Sequence, residues 1–312
     1  MSHTSATSTP VVDRPALREN PYNPRAGLKI WMDGQLVPAH EARISVFDHA
    51  LLYGDGCFEG IRVYNGRIWK EKEHLDRFRL SLKAIQLDIG MSLDEVAVAM
   101  REALAANGLT GDGYIRLLAT RGVGSLGISV KHTANPSVIV IADKIALYPP
   151  QLYETGLSCI ISSYIRNHPN SASPRVKSLN YLNNIMAKLD AAENGADEAI
   201  MLNHLGYVAE GTGDNLFRVR AGELFTPPTS DGILAGITRA HVMELARGAG
   251  YPLHVQSMIR QDLYEADEVF LTGTAAEIIS VVQVDHRLVG DGKPGPVTAR
   301  LKQLFRESID AA

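Results

Sequence analysis

The chain has 312 residues, 45% hydrophobic and 21% charged, with a formal net charge of -4 at pH 7. Such a length buries a sizeable core and suggests two domains, while the near-balanced charge excludes a polybasic surface for nucleic acid or an anionic membrane. Cys57 and Cys159 stand far apart with no Cys/His cluster around either, so no metal site and no disulfide framework is expected, and a cytoplasmic location is.

Residues 1–27 are rich in Ser, Thr, Pro and Asn and lack an apolar signal core, so they read as a flexible tail. Arg14, Arg18 and Arg25 leave an organellar-targeting reading open, against which Asp13 and Glu19 count. No apolar run approaches the roughly 20 residues of a membrane-crossing helix, so no membrane partner is expected.

Ordered structure begins near Leu28, where Lys29-Ile30-Trp31-Met32 runs into Asp33-Gly34 and then Gln35-Leu36-Val37, a hairpin signal. A second hairpin is predicted around Asn65-Gly66, the dipeptide that most readily supplies two positive φ angles. Leu75, Phe78, Leu82 and Ile85 form one apolar stripe of a helix over 71–86, and Ser92 with Glu95 reads as a capping box opening a helix over 93–106. Strands at 113–120 and 137–143 complete a smaller α+β domain over 28–147. Tyr148-Pro149-Pro150-Gln151 breaks both periodicities, which predicts an interdomain linker at 148–155.

The larger α/β domain is expected over 156–312. It opens with a strand at 157–165, a Pro-containing loop and a helix from about 179 to 194 ended by Asn194-Gly195. Strands at 197–203, 206–209, 214–219 and 223–226 follow, then a helix opened by Gly236-Ile237-Thr238-Arg239. Strands at 252–257, 267–271 and 278–284 and a helix at 296–308 end the chain.

Lys177, between a Pro-containing loop and the helix after it, is the candidate nucleophile, because a free lysine amine attacks an aldehyde. Its alternative is a solvated surface charge. Glu210, in Glu210-Gly211-Thr212-Gly213, places a carboxylate at a sharp bend where backbone can approach a flat ligand; held against a pyridine nitrogen, it would keep that nitrogen protonated. A plain glycine-rich turn is the alternative. Gly236-Ile237-Thr238 opens a helix whose free N–H groups face an anion, and Thr272-Gly273-Thr274 ends a β-run with further donors. Arg77 would add a charge to the same phosphate, or else pair with Glu73 along the helix surface.

Lys177 to Leu182, Glu210 to Phe217, Gly236 to Arg239 and Leu271 to Glu277 occur in order and at separations that resemble the fold-type IV enzymes that use pyridoxal 5'-phosphate. The likeness is greatest to the branched-chain amino acid aminotransferases and runs from Leu28 to Ala312. It implies a D-amino acid aminotransferase-like fold of two domains with the active site at their interface. Lys177 would form the Schiff base with the cofactor and carry the proton between the substrate α-carbon and cofactor C4′, Glu210 would meet the pyridine nitrogen, and Tyr181 the phenolic oxygen. Arg77, Gly236, Ile237, Thr238 and Thr274 would hold the phosphate, and Thr274 and Ala275 the substrate carboxylate. Tyr53, Phe58, Gly60 and Tyr114 match positions that line the side-chain pocket, with core packing as the alternative for Phe58 and Tyr114, and Arg116 matches an arginine that accommodates the distal carboxylate of glutamate.

The implied reaction moves an amino group between L-leucine, L-isoleucine or L-valine and 2-oxoglutarate, by a ping-pong route through pyridoxamine phosphate. The partners would be amino acids and 2-oxo acids, in a homodimer or higher homo-oligomer. The loop Arg121 to Gly127 would reach a neighbouring subunit's site. Tyr53-Gly54-Asp55-Gly56 also resembles D-amino acid aminotransferases, and aminodeoxychorismate lyase shares the fold type; a ligand-binding scaffold without catalysis is the reading from another class.

Overall fold

The computed structural model describes residues 27–145 and 147–310; apart from Gly27, the predicted tail lies outside the described residues. The first half contains β1 (Lys29–Met32), β2 (Gln35–Pro38), α1 (His49–Tyr53), β3 (Gly56–Tyr64), β4 (Arg67–Ile68), α2 (Glu71–Ala84), α3 (Leu93–Ala106), β5 (Gly113–Thr120), β6 (Val123–Gly124), β7 (Thr133–Ala134) and β8 (Ser137–Asp143). Its main sheet has six strands in the order β2-β1-β8-β5-β3-β4, antiparallel throughout.

Both expected hairpins form. Asp33 and Gly34, and Asn65 and Gly66, all take positive φ, as a turn matching the strand twist requires. Ser92 and Glu95 make the reciprocal capping bonds that open α3. The apolar faces of α2 and α3, with Phe78 and Met100 fully buried, pack on Ile61, Ile115 and Leu117 of the sheet; each such side chain withdrawn from water contributes about 1.5–3 kcal/mol.

The second half contains α4 (Pro150–Thr155), β9 (Leu157–Ile161), α5 (Leu182–Glu193), β10 (Glu198–Leu202), β11 (Val208–Gly211), β12 (Asn215–Arg220), β13 (Glu223–Thr226), α6 (Ile237–Gly248), β14 (Leu253–Val255), α7 (Arg260–Tyr264), β15 (Glu268–Gly273), β16 (Glu277–Val284), β17 (Arg287–Leu288) and α8 (Pro296–Asp310). They build a mixed sheet in the order β11-β10-β9-β16-β15-β12-β13-β14, with β17 on β16. β9 runs parallel to both β10 and β16.

Three expectations need correction. The segment 148–155 is not a plain break, because Pro150 sits at the first turn of α4, where its missing N–H costs nothing. β9 ends at Ile161, four residues earlier than expected, after which the chain leaves the sheet. The helix expected from 179 begins only at Leu182, so Tyr181 is the residue that precedes it and Lys177 lies in the loop before it.

That loop is stitched to the first sheet. The Phe58 N–H donates to the Lys177 carbonyl at 2.9 Å, and the Leu179 N–H to the Gly56 carbonyl at 3.0 Å. A hydrophobic cluster joins the two halves, with Tyr64 and Trp69 packed among Phe217, Phe270 and Phe305.

Candidate active site

A cavity of about 360 Å³ opens between the two sheets. Phe58, Gly60, Tyr114 and Arg116 reach it from β3 and β5, and Arg77 from α2. From the second half come Lys177, Tyr181, Gly236, Ile237, Thr238, Thr274 and Ala275. Two predicted residues stand apart. Glu210 is buried behind the cavity wall, and Tyr53 lies on α1, where its hydroxyl donates to the Leu126 carbonyl and 37% of the residue is exposed.

Lys177 Nζ donates to the Tyr181 hydroxyl at 3.1 Å and sits 4.6 Å from the centre of the Phe58 ring. The spacing of four residues achieves this without a helix, because the loop folds back on itself with the Ser178 and Tyr181 N–H groups bonded to the Val176 and Leu179 carbonyls. The Lys177 N–H also donates to Ser81 Oγ of α2 at 3.2 Å. The amine is thus fixed at both its backbone and its tip.

Glu210 is gripped from three sides: Arg166 Nε donates to Oε1 at 2.9 Å, and Asn215 Nδ2 and the Leu234 N–H each donate to Oε2 at 3.0 Å. Burial pushes its carboxyl above the usual range, against the opposing pull of the Arg166 charge and these donors. Arg166 is itself buried and also approaches Asn184 Oδ1. The sequence offered no sign of Arg166, which sits in an irregular loop 44 positions from its partner.

Arg77 does not pair with Glu73, which instead meets Lys70 at 3.2 Å. Its Nε and Nη2 donate to the two oxygens of Glu59 at 2.8 and 2.7 Å, and Nη1 to the Ala235 carbonyl at 3.0 Å. Two of its five N–H groups remain for a ligand. His74 Nδ1 lies 2.8 Å from the same Glu59, which is fully buried. Burial pushes the Glu59 carboxyl up, but the Arg77 charge and the bonds from Arg77 and His74 outweigh it and hold it at about 2. Glu59 gave no signal in sequence, because its contacts cross from a strand to a helix.

The cavity fits pyridoxal 5'-phosphate on features of its own. Thr238 Oγ1 and Thr272 Oγ1 are buried and bonded to nothing in the protein, which is costly unless a ligand oxygen completes them. Thr238 lies in the first turn of the twelve-residue α6, beside free backbone N–H groups. Gly236 has no room for a side chain: a Cβ there would lie 1.8 Å from Asn215 Oδ1. Phosphate donors and a lysine amine therefore converge from separate elements, with the Glu210 carboxylate behind them, bonded to Asn215 and Leu234 of the lining.

Arg116 lies over the Phe58 ring at 4.7 Å and near the Tyr114 ring at 5.6 Å. Stacking occupies the guanidinium face and leaves its edge donors free. Two carboxylates line the cavity itself, Glu198 and Asp214, and burial followed by the nearby Glu198 charge raises Asp214 to about 7.

The class IV amino-transferase family model matches residues 56–284. A putative branched-chain-amino-acid aminotransferase of Methanocaldococcus jannaschii is 44% identical over 90% of this chain and 96% of its own length. The Escherichia coli branched-chain-amino-acid aminotransferase is 39% identical over 88% of this chain and 91% of its own, and a crystal structure of the Escherichia coli enzyme superposes with a TM-score of 0.86, covering 89% of this chain and 93% of that one. The branched-chain amino acid aminotransferase from Thermobaculum terrenum, in its PLP-containing holo form, gives a TM-score of 0.83 at 32% identity, over 91% of this chain and 94% of that chain. By these relationships and by the cavity they surround, this chain belongs to the class IV aminotransferases and, within them, to the branched-chain amino acid aminotransferases.

Proposed function

We propose that the cavity performs reversible amino transfer between L-leucine, L-isoleucine or L-valine and 2-oxoglutarate, with Lys177 as its catalytic residue. The observation that carries this reading is the Lys177 amine fixed between Tyr181 and Phe58 in the cavity that the Thr238 hydroxyl lines. Bound pyridoxal 5'-phosphate supplies an electrophilic carbonyl and a ring that takes up the electron pair left when the substrate α-proton departs.

Lys177 Nζ then accepts and returns that proton, and its bond to Tyr181 keeps it aimed. Glu210, held by Arg166 and Asn215, would offer its carboxylate to the ring nitrogen of the bound cofactor and so favour the protonated ring. Arg77, Gly236, Ile237, Thr238 and Thr274 bind the phosphate, and the Thr274 and Ala275 amides orient the substrate carboxylate. Phe58, Gly60 and Tyr114 exclude water around a branched side chain, while the free edge of Arg116 pairs with the second carboxylate of glutamate. One cavity thus serves both half-reactions.

A homodimer or larger assembly is the second part of the proposal. Val46, Phe47, Leu51, Leu126 and Ile128 make an exposed apolar face around α1 and the β6–β7 connection, with Ile128 82% exposed. A face of that kind is covered in an assembly, which gives Tyr53 a place beside a neighbour's cavity. A fully active monomer by sedimentation would contradict it. Cys57 and Cys159, both free and buried, support a cytoplasmic setting. The division at 148–155 is supported by the change of sheet on either side of α4.

The test is spectroscopic. The purified protein should be yellow, its band should shift with L-leucine but not D-leucine, and 2-oxoglutarate should restore it without releasing pyruvate. Borohydride reduction and peptide mapping should label Lys177, and Lys177→Ala should lose the band and at least about 10²-fold in kcat. Label on another lysine, or a response to D-leucine alone, would overturn the assignment.

A further inference from the structure

Between β15 and β16 the chain turns through Thr274, Ala275 and Ala276, closed by the Gly273 and Glu277 pair. Glu277 has φ of 58°. That left-handed conformation is one that glycine adopts without steric cost, yet a buried glutamate occupies it.

Its carboxylate explains the choice. Oε1 accepts from Arg62 Nη2 at 3.1 Å and from the Tyr64 hydroxyl at 2.8 Å, both on β3. Oε2 forms an ion pair with Arg306 Nη2 of α8 at 2.5 Å. The strand that holds Glu277 through Arg62 and Tyr64 is the same one that holds Lys177 through the Phe58 N–H, and Gly60 lines the cavity between them. β3 therefore ties together the hairpin that presents the Thr274 and Ala275 amides and the loop that presents the amine.

We propose that Glu277 is a positioning residue for substrate recognition: its tether to Arg62, Tyr64 and Arg306 sets the Thr274–Ala275 amides at the distance from Lys177 that an α-amino acid spans. This rests on the carboxylate-binding role given above to those amides. A glycine at 277 relieves the backbone but leaves the hairpin anchored only by its sheet bonds. An anchor lost at the carboxylate end weakens ligands that carry a carboxylate and leaves other ligands untouched.

The experiment compares the Glu277→Gly, Glu277→Gln and Arg306→Gln holoenzymes. For Glu277→Gly, the KM for L-leucine and the inhibition constant of 4-methylvalerate should each rise about tenfold, with inhibition by isoamylamine, which has no carboxylate, unchanged. Glu277→Gln, which keeps an acceptor for Tyr64, should fall between. Equal weakening of 4-methylvalerate and isoamylamine, or no change in either, would overturn the proposal. If Glu277→Gly does not fold, Arg306→Gln decides, since its arginine is half exposed: an unchanged KM for L-leucine refutes the tether. Failure of the aminotransferase reading itself would show separately, as a wild-type protein whose absorbance ignores L-leucine.

Discussion

Glu59→Gln tests the electrostatics of the phosphate side. Glu59 is fully buried, and Arg77 with its Nε and Nη2 bonds to it is nearly so. Removing one partner of such a pair leaves an uncompensated buried charge at a cost of about 3–5 kcal/mol. The carboxyl held at about 2 against an ordinary 4.5 points the same way, since that difference is worth about 3 kcal/mol at neutral pH. An unfolding entropy of about 2.1 cal/mol/K per residue gives roughly 0.65 kcal/mol per degree for a chain of this length, so the melting temperature should drop by about 5–8 °C. The sign of the pH dependence follows from a depressed carboxyl: the contribution is complete above about pH 4.5 and lost as the pH falls toward 2. Differential scanning calorimetry of both proteins from pH 7 to pH 3.5 should therefore show the gap narrowing in acid. A gap under about 1 °C at pH 7, or one that widens as the pH falls, would refute the reasoning.

Gly60→Ala would put a Cβ 2.0 Å from the Tyr114 hydroxyl, forcing the ring into the side-chain pocket; the KM for L-leucine should rise about tenfold, and an unaltered KM would show that Gly60 does not shape that wall. Asp214 is raised to about 7 by burial and then by Glu198, so the folded protein keeps a proton that the unfolded chain releases near 3.8, and stability falls as the pH rises through that window. Asp214→Asn removes this slope, and its melting temperature relative to wild type should climb between pH 5 and pH 8; a constant difference would count against a buried, proton-holding Asp214.

Much of the frame was legible because its signals are local. Asn65-Gly66 specifies its hairpin through two positive φ angles, and Ser92 with Glu95 caps a helix within four residues. The strands 113–120 and 137–143 were read at their observed limits. Lys177, Arg77, Gly236, Thr238 and Thr274 are candidates by their own chemistry and the other cavity residues by resemblance, and the structure brings most of them together. What stayed hidden depends on distant partners. Glu59 reads as one more strand residue until Arg77 and His74 fold over it, and Arg166 lies in a loop whose course no periodicity describes. The helix expected from about 179 would hold Tyr181, but a loop places it in reach of Lys177 by its own backbone bonds. Pro150 was read as a breaker where it starts a short helix.

The two bonds between β3 and the Lys177 loop bear on how the molecule can be rebuilt. The amine belongs to one half of the chain by position in sequence but is registered against the other half. A chimera that grafts the first 147 residues of a relative onto this chain would thereby reset the height of the amine together with the pocket wall, so a recombination meant to alter substrate preference alone should carry residues 175–181 along with the donor sheet.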